Sequence, residues 1–339
     1  MEYMDAPITR RDLIVGAAAS LAAAPHATEA AAPKRIIMTV RGAIDPARFG
    51  RTLPHEHVMV DFIGADKTGP HRWNADEVFA AMLPHLRAAR KAGITGFVEC
   101  TPMYLGRDVR LLRRLAEASG LHILTNTGLY KEPYLPEYAL REDADALAAR
   151  WTAEWREGIE GTGIRPGFIK IAVNPGKLIE VQRTIVRAAA RCSRATGLTI
   201  ACHTGHGPAA LECLDLLRDE RLPLSRFIFV HADAEGDMKF HLDVAHAGAW
   251  VEYDSIGWKP LADHVRLITA FLAQGPAERL LLSHDAGWYH VGEAGGGEIK
   301  PFTPLVRDLI PMLEREGMKR SQVKSLIVEN PRRAFEVGA

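Results

Sequence analysis

The chain has 339 residues, of which 47% are hydrophobic and 25% are charged, a composition typical of one globular domain that buries a full core. With 42 basic and 42 acidic residues its formal net charge is zero, so it lacks the electrostatic footprint of a protein that binds nucleic acid or an anionic membrane surface. Beyond the N-terminal segment no apolar run reaches the ~18 residues that a membrane-spanning helix needs. A small molecule is therefore the expected partner.

The first 32 residues differ in composition from the rest of the chain. The segment Thr9–Ile14 (TRRDLI) is followed by an alanine-rich apolar run to Ala24 and by small residues to Ala32. A charged start, a short apolar segment and small residues around a cleavage point predict a twin-arginine export signal over residues 1–32. A frayed N-terminal helix is the alternative, but the segment has no amphipathic period. We therefore expect a periplasmic or otherwise exported protein.

Residues 35–339 are predicted to form one α/β domain. An extended pair from Arg35, joined by a Pro-containing turn, should cover the bottom of this domain. Eight short apolar or β-branched runs then alternate with helical stretches, which predicts parallel strands linked by helices. The runs are PHEHVMV around His57 and residues 96–101, 122–128, 167–172, 198–203, 227–231, 249–254 and 279–285. Eight repeats favour a TIM (β/α)8 barrel with a short N-terminal β extension. An open doubly wound sheet is disfavoured because no glycine-rich dinucleotide fingerprint follows the first strand.

Capping residues and cysteine positions complete this prediction. Asn74 predicts the start of a helix over residues 75–92, Gly197 the end of one over 181–196, and Gly275 follows one over 261–273. An extra C-terminal helix over residues 321–337 is expected to begin at a capping Ser321 and to pack on the barrel. The four scattered cysteines are expected to be buried small hydrophobic residues, because they do not form a disulfide framework.

Polar residues fall where the predicted strands end, the edge at which TIM barrels carry their chemistry. His55 and His57 share one face of their strand because alternate strand residues point the same way, so both imidazoles can face one ion. His203 and His231 each end an apolar run, where a buried imidazole needs a partner. Asp285 ends LLLSHD, and a metal would remove the cost of an unpaired carboxylate there. Ordinary polar loop histidines are the alternative interpretation for any one of these histidines.

Lys170 stands in the apolar run GFIKIAV. Burial favours the neutral amine of a lysine, a nucleophile that can take up carbon dioxide. The resulting carbamate can bridge two cations, although a Schiff-base lysine or a phosphate-binding lysine is also compatible with this position. Nitrogen and oxygen ligands without a thiolate favour zinc, with cobalt, manganese and iron as further candidates.

Together these stretches resemble the phosphotriesterase family of the amidohydrolase superfamily, which includes the phosphotriesterase-like lactonases. The resemblance covers residues 36–335, and its landmarks are MTVRGAIDPARFGRTLPHEH, TPMYLGRDVRLLRRLAEASGLHILTNTGLY, FIKIA, ACHTG, FVHAD, LLSHDAGW and ENPRRAF. It implies that His55, His57 and Asp285 hold a buried ion, that His203 and His231 hold a more exposed ion, and that N6-carboxylysine at Lys170 bridges the two. Tyr130, in TGLY, matches the tyrosine that lactonase members place over the metal pair. A rim aromatic is the alternative role for Tyr130.

The predicted function is hydrolysis of a lactone or carboxyl ester at a binuclear metal centre, with Asp285 as proton acceptor, His231 as relay and Tyr130 at the leaving group. Phosphotriester hydrolysis is the alternative, and a Schiff-base lyase or a non-catalytic metal or ligand binder represents a different class. Lactonases that use acyl-homoserine lactones resemble one another in an Asp-Arg pair after strand seven, whereas this chain has Asp254 and Ser255. The glycine-rich stretch 286–302, with Trp288 and Tyr289, is expected to be a mobile substrate cover. A homodimer is compatible with the sequence.

Overall fold

The computed structural model describes residues 35–338. The predicted export signal therefore lies outside the described residues. The strands are β1 (Arg35–Thr39), β2 (Gly42–Ile44), β3 (Thr52–Val60), β4 (Gly96–Glu99), β5 (His122–Leu124), β6 (Asn126–Thr127), β7 (Phe168–Ala172), β8 (Ile200–His203), β9 (Phe227–Val230), β10 (Trp250–Tyr253), β11 (Leu280–Leu282), β12 (Gly287–His290) and β13 (Val337–Gly338). The α-helices are α1 (Ala75–Lys91), α2 (Val109–Ser119), α3 (Ala144–Glu157), α4 (Glu180–Thr196), α5 (Gly207–Asp219), α6 (Met238–His246), α7 (Leu261–Gln274), α8 (Ile310–Arg315), α9 (Arg320–Lys324) and α10 (Asn330–Phe335).

Two parallel sheets have the orders β12-β3-β4-β5 and β6-β7-β8-β9-β10-β11. They form an eight-stranded barrel in which β5 with β6, and β11 with β12, each count as one strand. At one junction β5 and β6 are a single strand interrupted at Thr125, whose carbonyl accepts a hydrogen bond from Gly167 N–H at 2.7 Å. At the other junction the segment between β11 and β12 bonds to β3, because Asp285 N–H donates to the His55 carbonyl at 3.1 Å and His57 N–H to that of Ala286 at 2.8 Å. The predicted TIM barrel is confirmed.

The barrel interior is packed at the end where the strands begin. One buried cluster joins inward-facing side chains of the barrel strands, such as Phe168 and Trp250, to Ile37 of β1, Phe49 and Phe335. The β1–β2 pair therefore covers the barrel bottom, as predicted. Both faces of each strand are covered, which explains why the strands are continuous apolar runs in the sequence.

The helix boundaries follow local capping chemistry. The side chain of Asn74 accepts a hydrogen bond from Asp76 N–H at 2.9 Å and starts α1, and Gly197 ends α4 with a left-handed φ of 78°, both as predicted. All four cysteines are buried and free, as expected. No helix within residues 35–338 has the length and apolar character needed to span a membrane.

Two local predictions were wrong. The turn between β1 and β2 consists of Val40 and Arg41, and the proline lies after β2, where Pro46 begins a short 3-10 helix because its fixed φ suits a first helical position. The C-terminal helical region begins at Arg320 rather than at a capping Ser321, since the Gln322 side chain accepts the Lys319 N–H at 2.9 Å. It contains a π-helical turn at Ser325–Glu329 and ends at Phe335, after which β13 pairs with β1.

Candidate metal centre

The six predicted ligand residues line one narrow cavity at the carboxyl ends of the barrel strands, together with Tyr130. They come from five separate parts of the barrel, and the arrangement of the strands around the barrel brings them together. His55 and His57 lie in β3, Lys170 in β7, His203 at the end of β8, His231 directly after β9 and Asp285 between β11 and β12.

One group of ligand atoms consists of His55, His57 and Asp285. Asp285 Oδ1 lies 3.0 Å from His57 Nε2 and 3.6 Å from His55 Nε2. The same oxygen is buried and has no partner in hydrogen-bonding geometry. Ligand atoms about 2.0–2.1 Å from a tetrahedral zinc stand roughly 3.3 Å apart, which matches these separations. The three side chains therefore fit a bound divalent ion.

A second pair of imidazoles meets beside this group. His231 Nε2 and His203 Nδ1 lie 2.7 Å apart, so the two rings turn these nitrogens toward a common point. Lys170 Nζ lies 3.4 Å from His55 Nε2 and is 1% exposed. Among the described residues no acidic side chain forms an ion pair with Lys170. The chemistry of this donor set, imidazole nitrogens and oxygens without a thiolate, suits zinc and other borderline divalent ions.

Two buried carboxyl groups, Glu252 of β10 and Asp254 directly after it, support these histidines and were not among the predicted site residues. Asp254 accepts hydrogen bonds from His231 Nδ1 at 2.8 Å and from His231 N–H at 3.1 Å, and its Oδ2 lies 3.0 Å from His55 Nδ1. Glu252 Oε1 lies 3.0 Å from the same His55 nitrogen. Charged residues at alternate positions of a strand covered on both faces, as in WVEYD, were the available signal. Partners of this kind fix the tautomer and orientation of ligand histidines.

Burial prepares two of the histidines, His55 and His203, as metal ligands. Burial holds the pKa of His55 and of His203 well below the ordinary value, so both rings are neutral near pH 7 and keep a lone pair for a metal. Burial alone would lower the pKa of His231. The neighbouring Asp254 carboxylate outweighs the effect of burial, so the pKa of His231 is raised above its ordinary value. For Asp285, burial acts to raise the pKa, and the neighbouring His55 and His57 hold it below its ordinary value.

The two carboxyl groups behind the histidines have opposite shifts. Burial and the negative charge of Asp254 raise the pKa of Glu252 well above its ordinary value. Burial acts in the same direction on Asp254, but its interaction with His231 lowers the pKa of Asp254. Asp254 is therefore the member of the pair that loses its proton more readily, and Glu252 is the one that holds its proton more strongly.

Backbone conformation also marks the site. His231 and Asp285 have positive φ angles of 58° and 50°, a region that costs non-glycine residues about 1–3 kcal/mol each. Gly287 has φ of 96°, and a Cβ there would lie 1.8 Å from the His57 carbonyl. Only glycine allows β12 to approach β3 this closely. The fold thus holds two of the predicted ligand residues in conformations that tertiary packing imposes.

Aromatic side chains surround the mouth of the cavity. Tyr130 Oη lies 3.2 Å from His203 Nδ1, and burial raises the pKa of the Tyr130 hydroxyl, which keeps it a neutral phenol. Trp288 packs on His57 with ring centroids 4.9 Å apart and stacks on Phe62 at 5.7 Å. The prediction of a mobile substrate cover over residues 286–302 was wrong for residues 287–290, because these residues form β12 and pair with β3.

A family model described as the phosphotriesterase family matches residues 35–335. The chain belongs to the phosphotriesterase family. A phosphotriesterase homology protein of Mycobacterium tuberculosis is 30% identical over 318 residues, covering 88% of this chain and 97% of that protein. An aryldialkylphosphatase of Saccharolobus solfataricus is 28% identical over 313 residues, covering 89% of this chain and 99% of that protein.

Among solved structures, a mutant of the Deinococcus radiodurans PTE-like lactonase superposes with a TM-score of 0.79 at 32% identity, covering 88% of this chain and 99% of that one. Membership of the phosphotriesterase family confirms the predicted class, a metal-dependent hydrolase, and the candidate ligand groups agree with it. It does not favour the Schiff-base lyase or the non-catalytic binder. Phosphotriesterase-family enzymes use divalent metal ions, which fits the histidine and carboxylate groups of this site.

Proposed function

We propose that this phosphotriesterase-family protein hydrolyses a lactone or carboxyl ester at a binuclear centre. In this proposal His55, His57 and Asp285 hold one divalent ion, His203 and His231 hold a second, and N6-carboxylysine at Lys170 bridges them. Zinc is the proposed metal. The observation that carries the proposal is the buried Asp285 Oδ1, which has no hydrogen-bond partner yet faces two imidazole nitrogens.

The environment of Lys170 supports the carbamate. An ammonium group that is 1% exposed and has no carboxylate within ion-pair distance in the described part of the chain is costly to bury. Its conversion to a carbamate replaces that charge by an anion. Such an anion suits a position 3.4 Å from the His55 ligand nitrogen. The same reasoning disfavours an unmodified lysine at this place.

When bound, the two ions would lower the pKa of water toward ~7 and polarise the substrate carbonyl. Asp285 is placed to accept the proton of the attacking water, because its lowered pKa keeps the carboxylate ionised. His231 is the proposed relay for that proton. Its Nδ1 donates to Asp254 at 2.8 Å and lies 3.9 Å from Asp285 Oδ2, a gap that one water would have to bridge. A proton taken up at this nitrogen would displace the Nδ1 proton onto Asp254.

Tyr130 favours a lactone substrate. Its neutral hydroxyl stands at the cavity mouth and can donate a hydrogen bond to the ring oxygen as the ring opens. Ser255 follows Asp254 in the sequence. The Asp233 carboxylate accepts hydrogen bonds from the Ser255 N–H, at 2.9 Å, and from the Ser255 hydroxyl. The name of the Saccharolobus solfataricus relative supports phosphotriester hydrolysis as a second activity to test.

The test is a substrate panel on metal-analysed protein, comparing sugar lactones, acyl lactones, carboxyl esters and phosphotriesters. We expect two zinc ions per chain and the highest kcat/KM on a lactone or ester. His57→Asn should lose one ion and at least about 100-fold in kcat/KM, since a ligand is removed. His246→Asn, at the exposed end of α6, is the matched control and should keep both ions and the wild-type kcat/KM. One ion per chain, or turnover of phosphotriesters alone, would refute the proposal.

We also propose that residues 1–32 direct twin-arginine export and that the enzyme works in the periplasm, as the sequence predicts. Replacement of Arg10 and Arg11 by Lys should leave the protein in the cytoplasmic fraction, whereas the unaltered chain should appear in the periplasmic fraction. Equal distribution of both proteins would contradict export by this route. A homodimer stays a prediction, which the mass in solution tests.

A further inference from the structure

Glu56 is a buried carboxylate that lies between His55 and His57 in β3. Its side chain points away from theirs, because alternate residues of a strand face opposite sides. It does not line the metal cavity, whereas both histidines do. Its two carboxylate oxygens instead accept hydrogen bonds from one short segment, residues 283–286, which contains Asp285. Glu56 therefore contacts the backbone on which a predicted ligand is carried.

The hydrogen bonds to Glu56 lie on both sides of Asp285. Glu56 Oε1 accepts the ring Nδ1–H of His284 at 2.6 Å and the His284 N–H at 3.2 Å. Glu56 Oε2 accepts the Ala286 N–H at 2.9 Å. The Asp285 N–H donates to the His55 carbonyl at 3.1 Å. Three consecutive backbone N–H groups are thus bound to two adjacent residues of β3.

His284 extends this network to a later part of the chain. Its Nε2 accepts the Leu305 N–H at 2.9 Å, so the ring proton is on Nδ1, which donates to Glu56. Leu305 begins the π-helical turn Leu305–Leu309, and the first N–H groups of a helical segment need acceptors from outside it. The pair formed by Glu56 and His284 therefore holds the chain on both sides of residues 287–304.

Ser283 links the same carboxylate to β3. Its Oγ accepts the His55 N–H at 2.9 Å and lies 2.8 Å from Glu56 Oε1. Glu56, Ser283 and His284 are each 0% exposed, and within residues 35–338 none of their buried side-chain polar atoms lacks a partner. A buried polar network that is satisfied in this way is rigid, because the loss of any partner in the low-dielectric interior is costly.

Asp285 needs such support because its backbone is strained. Its φ of 50° lies in the left-handed region, which a residue other than glycine keeps only when its surroundings impose it. The N–H groups on either side of Asp285 are the ones that Glu56 binds. In this conformation Asp285 Oδ1 lies 3.0 Å from His57 Nε2. Relaxation of φ to a negative value would move the carboxylate from that position.

We propose that Glu56 and His284 are positioning residues, which hold Asp285 in its left-handed conformation and so keep its carboxylate beside the ligand imidazoles. The inference rests on the proposed role of Asp285 as metal ligand and proton acceptor, and it adds the residues that place Asp285 for that role. The effect of Glu56 and His284 on metal binding passes through the segment 283–286.

Hydrogen exchange of the metal-free, full-length chain tests these contacts directly. Glu56→Gln keeps the size of the side chain but turns an NH2 group toward donors. We expect the amides of residues 284–286 to exchange at least about tenfold faster relative to those of β8, since hydrogen bonds to a charged group are lost. Unchanged relative exchange of residues 284–286 would overturn the inference.

Two further variants make this measurement specific. Glu154→Gln breaks the hydrogen bonds of another carboxylate, to Arg107 at 2.7 and 3.0 Å, and should leave the relative exchange of residues 284–286 as in wild type. His284→Asn keeps a donor for Glu56 but removes the acceptor of the Leu305 N–H. It should accelerate exchange at Leu305 about tenfold, and it replaces Glu56→Gln as the test if that variant does not fold. An unchanged rate at Leu305 would contradict the role of His284.

A double-mutant cycle on zinc affinity tests whether Glu56 acts through Asp285. Glu56→Gln alone should raise the Kd for zinc about tenfold. In the Asp285→Ala background the same substitution should change the Kd less than about twofold, because the carboxylate that Glu56 positions is gone. Additive effects would refute the inference, since Glu56 would then act through His55 and His57.

These measurements also separate the inference from the proposed reaction. The cycle uses no substrate, so a failure to hydrolyse lactones and esters would refute the proposed function while the cycle still decides the role of Glu56. A chain that takes up no zinc would likewise refute the proposed function. Hydrogen exchange of the metal-free chain would then decide whether Glu56 and His284 hold the segment that carries Asp285.

Discussion

Replacing Asp254 by Asn keeps the size of the side chain but changes what it offers to two ligand histidines. The carboxylate accepts hydrogen bonds from His231 Nδ1 at 2.8 Å and from His231 N–H at 3.1 Å through its two oxygens. An amide retains one acceptor oxygen, so its NH2 group must face a donor. The loss of one hydrogen bond to a charged group costs about 1.5–3 kcal/mol. At 1.4 kcal/mol for each factor of ten, the Kd for zinc should rise roughly 10- to 100-fold.

Glu252→Gln is the matched comparison. The raised pKa of Glu252 makes it the more strongly protonated member of the pair, and an amide resembles a protonated acid, so we expect less than about a threefold change in zinc affinity. Zinc affinity is measured by competition with a chromophoric chelator at pH 7, and thermal unfolding of the apo proteins verifies that each variant folds. If Asp254→Asn binds zinc as tightly as wild type, or if Glu252→Gln weakens binding equally, the division of charge between the two groups is wrong.

Three further predictions concern the site and the surface. Lys170→Ala should lose metal and activity, with partial rescue by added short carboxylic acids, and unchanged metal content would contradict the carbamate. Tyr130→Phe should depress lactonase activity more than phosphotriesterase activity, and equal effects would remove its proposed role at the leaving group. Arg191 hydrogen-bonds Glu220 and lowers the pKa of Glu220, so Glu220→Gln should cost about 1 kcal/mol of unfolding free energy above the unfolded pKa of ~4.3. That difference should vanish as the pH falls through the lowered pKa, and urea unfolding near pH 7 and near pH 3 tests its direction.

The barrel and its six predicted ligand positions could be recognised from local pattern. Strands covered on both faces leave continuous apolar runs, and a polar residue at the end of such a run, such as His203, is conspicuous. The shared orientation of His55 and His57 could be predicted from the two-residue period of a strand alone. The capping role of Asn74 could be predicted from its sequence neighbours alone. Each of these signals lies within a few residues of the feature it predicts.

The supporting contacts could not be recognised in this way, because they join distant parts of the chain. Glu252 meets His55 across 197 positions, and nothing around either residue indicates the other. The segment after Asp285 was misjudged for a related reason. Its glycines suggested mobility, but Gly287 permits β12 to lie against the His57 carbonyl, a requirement that only the closed barrel reveals.

The pairing of the first described strand with the last joins the two ends of the domain. Arg35 and Ile36 pair with Gly338 and Val337, and Phe335 contributes to the cluster at the barrel bottom. The floor of the barrel therefore depends on residues that lie about 300 positions apart in the sequence. Removal of residues 335–338 should weaken the start of the domain as much as its last helix.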